Sequence, residues 1–384
     1  VSNAPIPPFT EEHEALRESI RSFVEREICP HAPAWEKAEE FPRGLFTRMG
    51  ELGLLGLKYP EEYGGQGGDY VHDAVLTEEM ARCGSGGVSA GIGGHIGIAT
   101  PPIFKFGTEE QKRRWLVPAI KGEKIAALAI TEPSAGSDVA SIKTFARRDG
   151  DEYVVNGSKT FITNGVRGDI FVTAVKTTEA GGHHGLSFLV LERGMPGFSV
   201  SRKLEKLGWH ASDTGELSFQ DVRVPVENLL GEQEQGFYLI MANFQWERLL
   251  MALGAVGGME ATFERTLAYA KDREAFGRPI GRFQAIRHKL AEMATLVEAG
   301  RAYSYHALRL FVSGQDCLSE VSIAKLFCCD AAVRIADEAV QIHGGYGYMR
   351  EYDVERALRD ARLGPIGGGT SEIMKEIIGK QLGL

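Results

Sequence analysis

The chain has 384 residues, too many for one ordinary hydrophobic core, so two or three domains are expected. Hydrophobic residues at 43 % and charged residues at 25 % are the balance of a soluble globular enzyme, not of a disordered or fibrous chain. A net charge of −9 repels phosphate backbones, which argues against nucleic acid as a partner, and no apolar run is long enough to cross a bilayer.

Residues 1–125 read as an α-helical domain. The start, Val1 to Phe9, is Pro-rich and unlike a signal sequence, which points to a soluble protein of the cytoplasm, or of the mitochondrial matrix in a eukaryote. Glu11 to Glu27 and Pro42 to Leu52 repeat apolar residues at helical spacing, with Leu16, Ile20, Phe23 and Val24 on one face. Thr10 is the expected N-cap of the opening helix. Thr108 begins another in the same manner, with Trp115 and Leu116 as its apolar residues.

Residues 126–234 change character and read as an all-β module, a small barrel or sandwich. Ile125 to Thr131 is a short apolar run bounded by a turn. In Tyr153 to Phe161 the Asn156-Gly157 pair predicts a hairpin turn. Further strands are expected at 170–175, 186–191, 198–201 and 216–219. The loop Ile130-Thr131-Glu132-Pro133-Ser134-Ala135-Gly136-Ser137-Asp138 exposes backbone N–H groups, and Thr131 and Ser137 add hydroxyl donors. It suits a flavin edge or a phosphate, or is an ordinary surface turn. Phe161 and Thr163 suit a planar ring, or belong to the β core.

Residues 235–384 return to helix. The stretches 237–271, 283–311, 319–343 and 370–379 have helical periodicity and short connections, as in a bundle. Glu247 has Asn243, Phe244, Leu250 and Met251 as same-face neighbours, a setting that raises a carboxyl pKa and suits a general base; an interior Glu paired with Arg is the plainer reading. Arg248, about 100° round the helix, suits a phosphate or carbonyl, or a salt bridge. Gly254, Gly257 and Gly258 mark close approach by a helix or ligand. Arg273, in Arg273-Glu274-Ala275-Phe276-Gly277, is a natural pyrophosphate partner or a solvated helix-end charge. Two glycine turns follow, Gln341-Ile342-His343-Gly344-Gly345-Tyr346-Gly347 and Gly367-Gly368-Gly369-Thr370-Ser371-Glu372. Each suits an anion or carbonyl oxygen at a helix end, or a tight connection. His343 has no metal-ligand partner at a suitable spacing and reads as structural, and no metal is expected. The five cysteines read as small buried hydrophobes. No Gly-x-Gly-x-x-Gly follows a strand, so any dinucleotide is bound outside a Rossmann fold.

The order Thr-Glu-Pro-x-Ala-Gly-Ser-Asp, Phe-Ile-Thr-Asn-Gly, Arg-x-x-Phe-Gly, Gln-Ile-His-Gly-Gly-x-Gly and Gly-Gly-Thr-Ser-Glu-Ile resembles the acyl-CoA dehydrogenase family over nearly the whole chain. The resemblance implies an α+β fold: an N-terminal α-helical domain, a central β-barrel-like domain and a C-terminal four-helix bundle. It implies FAD. Ile130, Thr131, Gly136, Ser137, Phe161 and Thr163 would contact the flavin end, with Thr370 and Glu372 near the cofactor. Arg273, Phe276, Gln284, Gln341, Gly344 and Gly345 would bind its pyrophosphate and adenosine end across a subunit boundary. Ser137, Phe244 and Arg248 would hold the CoA substrate. Many members place the catalytic glutamate immediately before the Gly-Thr of the last motif, where this chain has Gly368. A branch that includes isovaleryl-CoA and long-chain acyl-CoA dehydrogenases places it on the bundle's first helix before an Arg, as Glu247-Arg248 does here. By that resemblance Glu247 is the base, and the Gly368 N–H supports the thioester carbonyl. The hydride goes to flavin N5, electrons pass to an electron-transfer flavoprotein, and the assembly is a homotetramer. Small residues over Gly91–Gly97 and the wording of the last motif favour a medium- to long-chain acyl-CoA. A branched short-chain acyl-CoA, or a flavin oxidase on the same scaffold, is an alternative. A low-turnover flavin-binding scaffold associated with nucleic acid is the alternative from another class.

Overall fold

Thr10 stands in extended backbone (φ −118°, ψ 175°) and its N–H donates to His13 Nδ1 at 3.1 Å, so the first helix begins where its cap predicts. The computed structural model describes residues 6–179 and 184–384. The first helical group is α1 (Glu11–Phe23), α2 (Ala32–Ala38), α3 (Gly44–Glu51), α4 (Tyr70–Met80), α5 (Gly86–Gly93), α6 (Thr100–Phe106), α7 (Glu109–Gln111) and α8 (Val117–Ile120). Thr108 caps α7 as expected, accepting from the Gln111 N–H, and Trp115 and Leu116 behind it are fully buried.

The strands are β1 (Ala126–Ala129), β2 (Phe145–Asp149), β3 (Glu152–Thr163), β4 (Ile170–Lys176), β5 (Leu186–Glu192), β6 (Phe198–Lys203), β7 (Thr214–Pro225) and β8 (Leu229–Leu230). They form one sheet in the order β6-β7-β3-β2-β4-β5-β8, with β1 added in parallel to β4. The hairpin turn expected at Asn156-Gly157 is not there. The β2–β3 hairpin turns at Gly150-Asp151, between the paired Asp149 and Glu152, and Asn156-Gly157 lies inside β3. The pairing with β7 shifts register between Val155 and Gly157. A Cβ on Gly157 would sit 2.5 Å from Thr144 Oγ1, so this glycine serves a bulge and a close approach, not a turn.

The second helical group is α9 (Gly236–Asp272), α10 (Gln284–Val312), α11 (Leu318–His343), α12 (Asp353–Ala361) and α13 (Ser371–Gln381), with the short hairpin β9 (Glu274–Ala275) and β10 (Arg278–Pro279) after α9. Four of these helices match the expected stretches. The short α12 was not foreseen. Its 9 residues are mostly charged, with Val354 and Arg356 turned inward.

The 37 residues of α9 join the two halves. Leu239 and Ile240 pack under the sheet with Ile170, Val172 and Phe188. Trp246, Leu249, Leu253 and Val256 belong instead to the core shared with α1, α4, α10 and α11. The other face of the sheet closes over Tyr153, Phe171, Leu191 and Phe219. Among the described residues no helix is long and apolar enough to cross a membrane.

Two neighbouring glycines of α9 have opposite settings. A Cβ on Gly257 would lie 2.3 Å from the backbone oxygen of Glu78, while one on Gly258 meets nothing within 4 Å. Gly257→Ala should therefore destabilise by about 1–3 kcal/mol, because the α4 backbone must give way. Gly258→Ala should stabilise by about 0.5–1 kcal/mol through helix propensity. Denaturant midpoints of the two variants check this, and equal shifts would contradict the close α4–α9 packing.

Candidate active site

Trp246 sets the rotation of α9. Its ring is buried, 4.6 Å from Tyr70 in an edge contact and stacked at 5.4 Å on Phe311. The next residue, Glu247, is thereby turned about 100° away. Its Oε2 is buried without a hydrogen-bond partner, and so is Nε of the adjacent Arg248. Burial pushes the Glu247 carboxyl up to about 7, against the pull of Arg248 and then Lys325. Burial also draws the Arg248 guanidinium below its ordinary value, with Glu247 opposing. Arg248 stays cationic and lies 5.5 Å from the Phe244 ring centroid.

The last glycine turn closes over this pair. A Cβ on Gly368 would stand 3.9 Å from Glu247 Oε1 and 3.3 Å from Met251 Cγ; one on Gly369 would stand 3.8 Å from Arg248 Nε. Both glycines are left-handed, at φ 61° and 94°. Lys325 of α11 reaches under the turn and donates to the carbonyls of Gly364 at 2.8 Å and Gly369 at 2.5 Å. Thr370 caps α13 through the Ile373 N–H, and Ser371 Oγ donates to Asp330 Oδ1 at 3.0 Å.

A second group forms at the sheet. Lys159, fully buried, donates to the Ile130 carbonyl at 2.9 Å and to Glu132 Oε1 at 2.8 Å. Glu132 also accepts from the Lys143 and Thr144 N–H groups. Burial pulls Lys159 down to about 8, against Glu132. The Thr160 N–H donates to the Thr131 carbonyl. These ties hold the root of the 130–138 loop, while Gly136 and Ser137 stand exposed at its outer part. Phe161 is left-handed (φ 59°) and 69 % exposed, an unusual state for a large apolar residue flanked in β3 by the buried Thr160 and Ile162. Thr163 packs toward Gly94 of the first helical group.

A third group surrounds a cavity of about 500 Å³ lined by Tyr269, Arg273, His343, Gly344, Gly345 and Tyr346. The Arg273 guanidinium is 5.4 Å from the Tyr346 ring centroid. His343 stacks on Tyr269 at 4.1 Å and its Nδ1 bonds the Ala339 carbonyl at 2.7 Å, the structural role read for it. Gln284, Gln341 and Glu372 are exposed, and Phe276 is 94 % exposed in left-handed backbone. The single chain thus gathers Phe244, Glu247, Arg248, Gly368 and Thr370 in one place and Arg273, Gly344 and Gly345 in another. Phe276, Gln284, Gln341 and Glu372 stand on its surface.

Residues 10–123 match the acyl-CoA dehydrogenase N-terminal domain, 127–222 the middle domain and 234–383 the C-terminal domain. The chain belongs to the acyl-CoA dehydrogenase family. The mouse mitochondrial long-chain specific acyl-CoA dehydrogenase is 43 % identical over 97 % of this chain and 87 % of its own length. The mitochondrial isovaleryl-CoA dehydrogenase of rice (Oryza sativa subsp. japonica) is 41 % identical over 97 % and 92 %. The crystal structure of acyl-CoA dehydrogenase from Geobacillus kaustophilus superposes with a TM-score of 0.95 at 46 % identity, covering 99 % of this chain and 100 % of that one. As an acyl-CoA dehydrogenase the chain is an FAD-dependent oxidoreductase of acyl-CoA metabolism.

The residues present fit such a cofactor. Gly136 and Gly345 have nothing within 4 Å of a built Cβ, so backbone there is open to a ligand's close approach. Arg273 opens on the cavity with a cationic group suited to pyrophosphate, and Phe161 offers an exposed ring face. The orphaned atoms of Glu247 and Arg248 mark where a polar ligand would be received.

Reading the sequence of this acyl-CoA dehydrogenase missed two buried lysines. Lys325 interrupts an apolar run, Ile323-Ala324-Lys325-Leu326-Phe327, and a lone cation there is the signal that could have found it. Lys159 follows Tyr153 and Val155 at even spacing along β3, on positions that point inward.

Proposed function

We propose that this enzyme oxidises a medium- to long-chain acyl-CoA to the trans-2-enoyl-CoA with Glu247 as the base. The observation that carries this reading is the Glu247 carboxylate facing Gly368, with its Oε2 buried and unpartnered and no side chain on Gly368 itself. A base with a pKa near 7 is half ionised at neutral pH and strong enough to take the α proton of a thioester. Arg248, next to it, holds anionic or carbonyl groups of the CoA part together with Phe244 and Ser137. The Gly368 N–H supports the thioester carbonyl as negative charge grows on it. The turn and α9 shield Oε2 from water, which strengthens the electrostatic interactions made there. Bound FAD supplies the acceptor for the β hydrogen. Ile130, Thr131, Gly136, Ser137, Phe161, Thr163, Thr370 and Glu372 serve its flavin end. Arg273, Phe276, Gln284, Gln341, Gly344 and Gly345 serve its pyrophosphate and adenosine end, with a second subunit completing the surface around the exposed Phe276. An electron-transfer flavoprotein takes the electrons onward, and the working assembly is a homotetramer.

Chain length is supported by the face of α9 that carries the base. Glu247, Met251, Gly254 and Gly258 follow at helical spacing on one side. A Cβ on Gly254 meets only Thr77 Cγ2 at 3.7 Å, and one on Gly258 meets nothing. Room therefore opens beside Gly254 and Gly258, about 10 and 16 Å along the helix from Glu247, which supports an extended acyl chain lying along this face. Anaerobic titration with straight-chain and branched acyl-CoAs, read by loss of flavin absorbance, tests this. The fastest bleaching should come with chains of about 8 to 16 carbons. A maximum at isovaleryl-CoA would establish the branched short-chain reading instead, and rapid reoxidation of the reduced enzyme by oxygen would establish an oxidase.

A further inference from the structure

We infer that Lys325 is a positioning residue for this reaction: its ammonium clamps the turn that carries Gly368 through two backbone carbonyls and brings a buried positive charge toward Glu247 from the neighbouring helix. The inference rests on the reading of Glu247 as base.

The geometry is that of a clamp. Lys325 sits two turns into α11 with no exposed surface, and its Nζ donates to the carbonyls of Gly364 and Gly369, one on each side of Gly368. Holding both carbonyls restrains the two ends of the segment that carries the Gly368 N–H, and so narrows the directions it can take. The turn needs such a tie. Gly368 and Gly369 lie in left-handed backbone with no side chains of their own to lock them. Backbone bonds from the Ile366 and Gly367 N–H groups to the Leu363 carbonyl hold the near end of the turn, and those from the Ser371 N–H to the Pro365 carbonyl and from Ser371 Oγ to Asp330 hold the far end, while Gly368 and Gly369 lie between them.

A clamp alone does not call for a charge. A neutral amide could donate to two carbonyls without the cost of burying an ammonium. The groups that face Lys325 are Cys329 and Asp330 on its own helix, Arg248 and Glu247 on α9, and Glu372 at the start of α13. The groups that face Glu247 are Arg248 beside it on α9 and Lys325 from α11. Lys325 is therefore the cation that reaches Glu247 from across the helix pair. Removing its charge leaves burial opposed by Arg248 alone, and the carboxyl rises further. Glu247 must be anionic to accept a proton, so a higher pKa means less active base at neutral pH.

The test uses the FAD-loaded enzyme and three variants. Lys325→Gln keeps donors without charge, Lys325→Met removes both, and Lys325→Arg keeps the charge. Anaerobic flavin reduction by an acyl-CoA is followed between about pH 6 and 9. For Gln and Met the midpoint of the rate profile should move up by about one pH unit, with a rate at pH 7 roughly fivefold lower; for Arg the midpoint should stay. Backbone amide exchange over residues 364–370 gives a readout apart from activity and should speed up about tenfold or more in Met. Wild-type midpoint and wild-type exchange in Met would overturn the inference. Should Met not fold, equal midpoints for Gln and Arg would overturn it. A Glu247→Gln enzyme that still reduces its flavin rapidly would sink the base reading itself. A silent Glu247→Gln beside a Lys325→Gln that titrates like wild type would sink the Lys325 inference alone.

Discussion

Glu247→Gln should give a folded, FAD-loaded protein whose flavin no acyl-CoA bleaches, with reduction slowed by about 10²–10⁴-fold. Glutamine matches the shape of glutamate, so the packing against Met251 and the glycine turn is preserved while the proton acceptor is lost. The same variant should be more stable than the wild type. A carboxyl held at about 7 in the folded state, against 4.5 in the free residue, binds its proton more tightly folded than unfolded. Its cost is absent below pH 4.5, grows as pH rises through the window and is complete above about 7. Relieving it should add roughly 1–3 kcal/mol at pH 8 and nothing at pH 4. Unfolding of both proteins at the two pH values checks this. A loss of stability at pH 8 would mean that Glu247 is an ordinary paired interior carboxylate.

Moving the base to the turn should restore catalysis. A Cβ at position 368 would stand 3.9 Å from Glu247 Oε1, so a glutamate placed there would bring its carboxylate into the space the native one occupies. The double variant Glu247→Ala with Gly368→Glu should therefore recover at least about tenfold in flavin reduction over Glu247→Ala alone. Two costs keep it below wild type. Position 368 has φ 61°, which a residue with a Cβ adopts at about 1–2 kcal/mol. Met251 Cγ, 3.3 Å from the new Cβ, must move, and methionine is flexible enough to do so. Single-turnover reduction of folded, FAD-loaded protein reads the result. A double variant no faster than Glu247→Ala would show that the turn and α9 do not share one reaction volume.

The long helices were legible because one face of each is apolar over many turns. The bundle boundaries at 237–271 and 319–343 therefore fall within a residue of α9 and α11. The candidate site was legible through a pair of positions, a carboxylate present at 247 and absent at 368, and the fold brings the two together, with a Cβ at 368 standing 3.9 Å from Glu247 Oε1. Local sequence failed where a residue serves something distant. Asn156-Gly157 has turn chemistry, yet Gly157 is glycine because Thr144 lies against it. Lys325 looks like any helix lysine until the chain returns about 40 residues later to lay two carbonyls on its ammonium. The exposed Phe161 and Phe276 were read as cofactor residues by motif. The positive φ of Phe276 is that of the two-residue β9–β10 turn, which Gly277 completes at φ 77°, and Phe161 lies where β3 shifts register against β7 between Lys159 and Ile162; the exposure of both rings leaves them open to contact from outside the chain.

The central claim, that the Glu247 carboxylate takes the α proton, is tested most directly by hydrogen exchange at that carbon. Enzyme held anaerobically with an acyl-CoA analogue that cannot lose its β hydrogen should wash deuterium from solvent into the α position, followed by NMR. The wild type should exchange and Glu247→Gln should not, with both proteins retaining FAD. Undiminished exchange in Glu247→Gln would contradict the account.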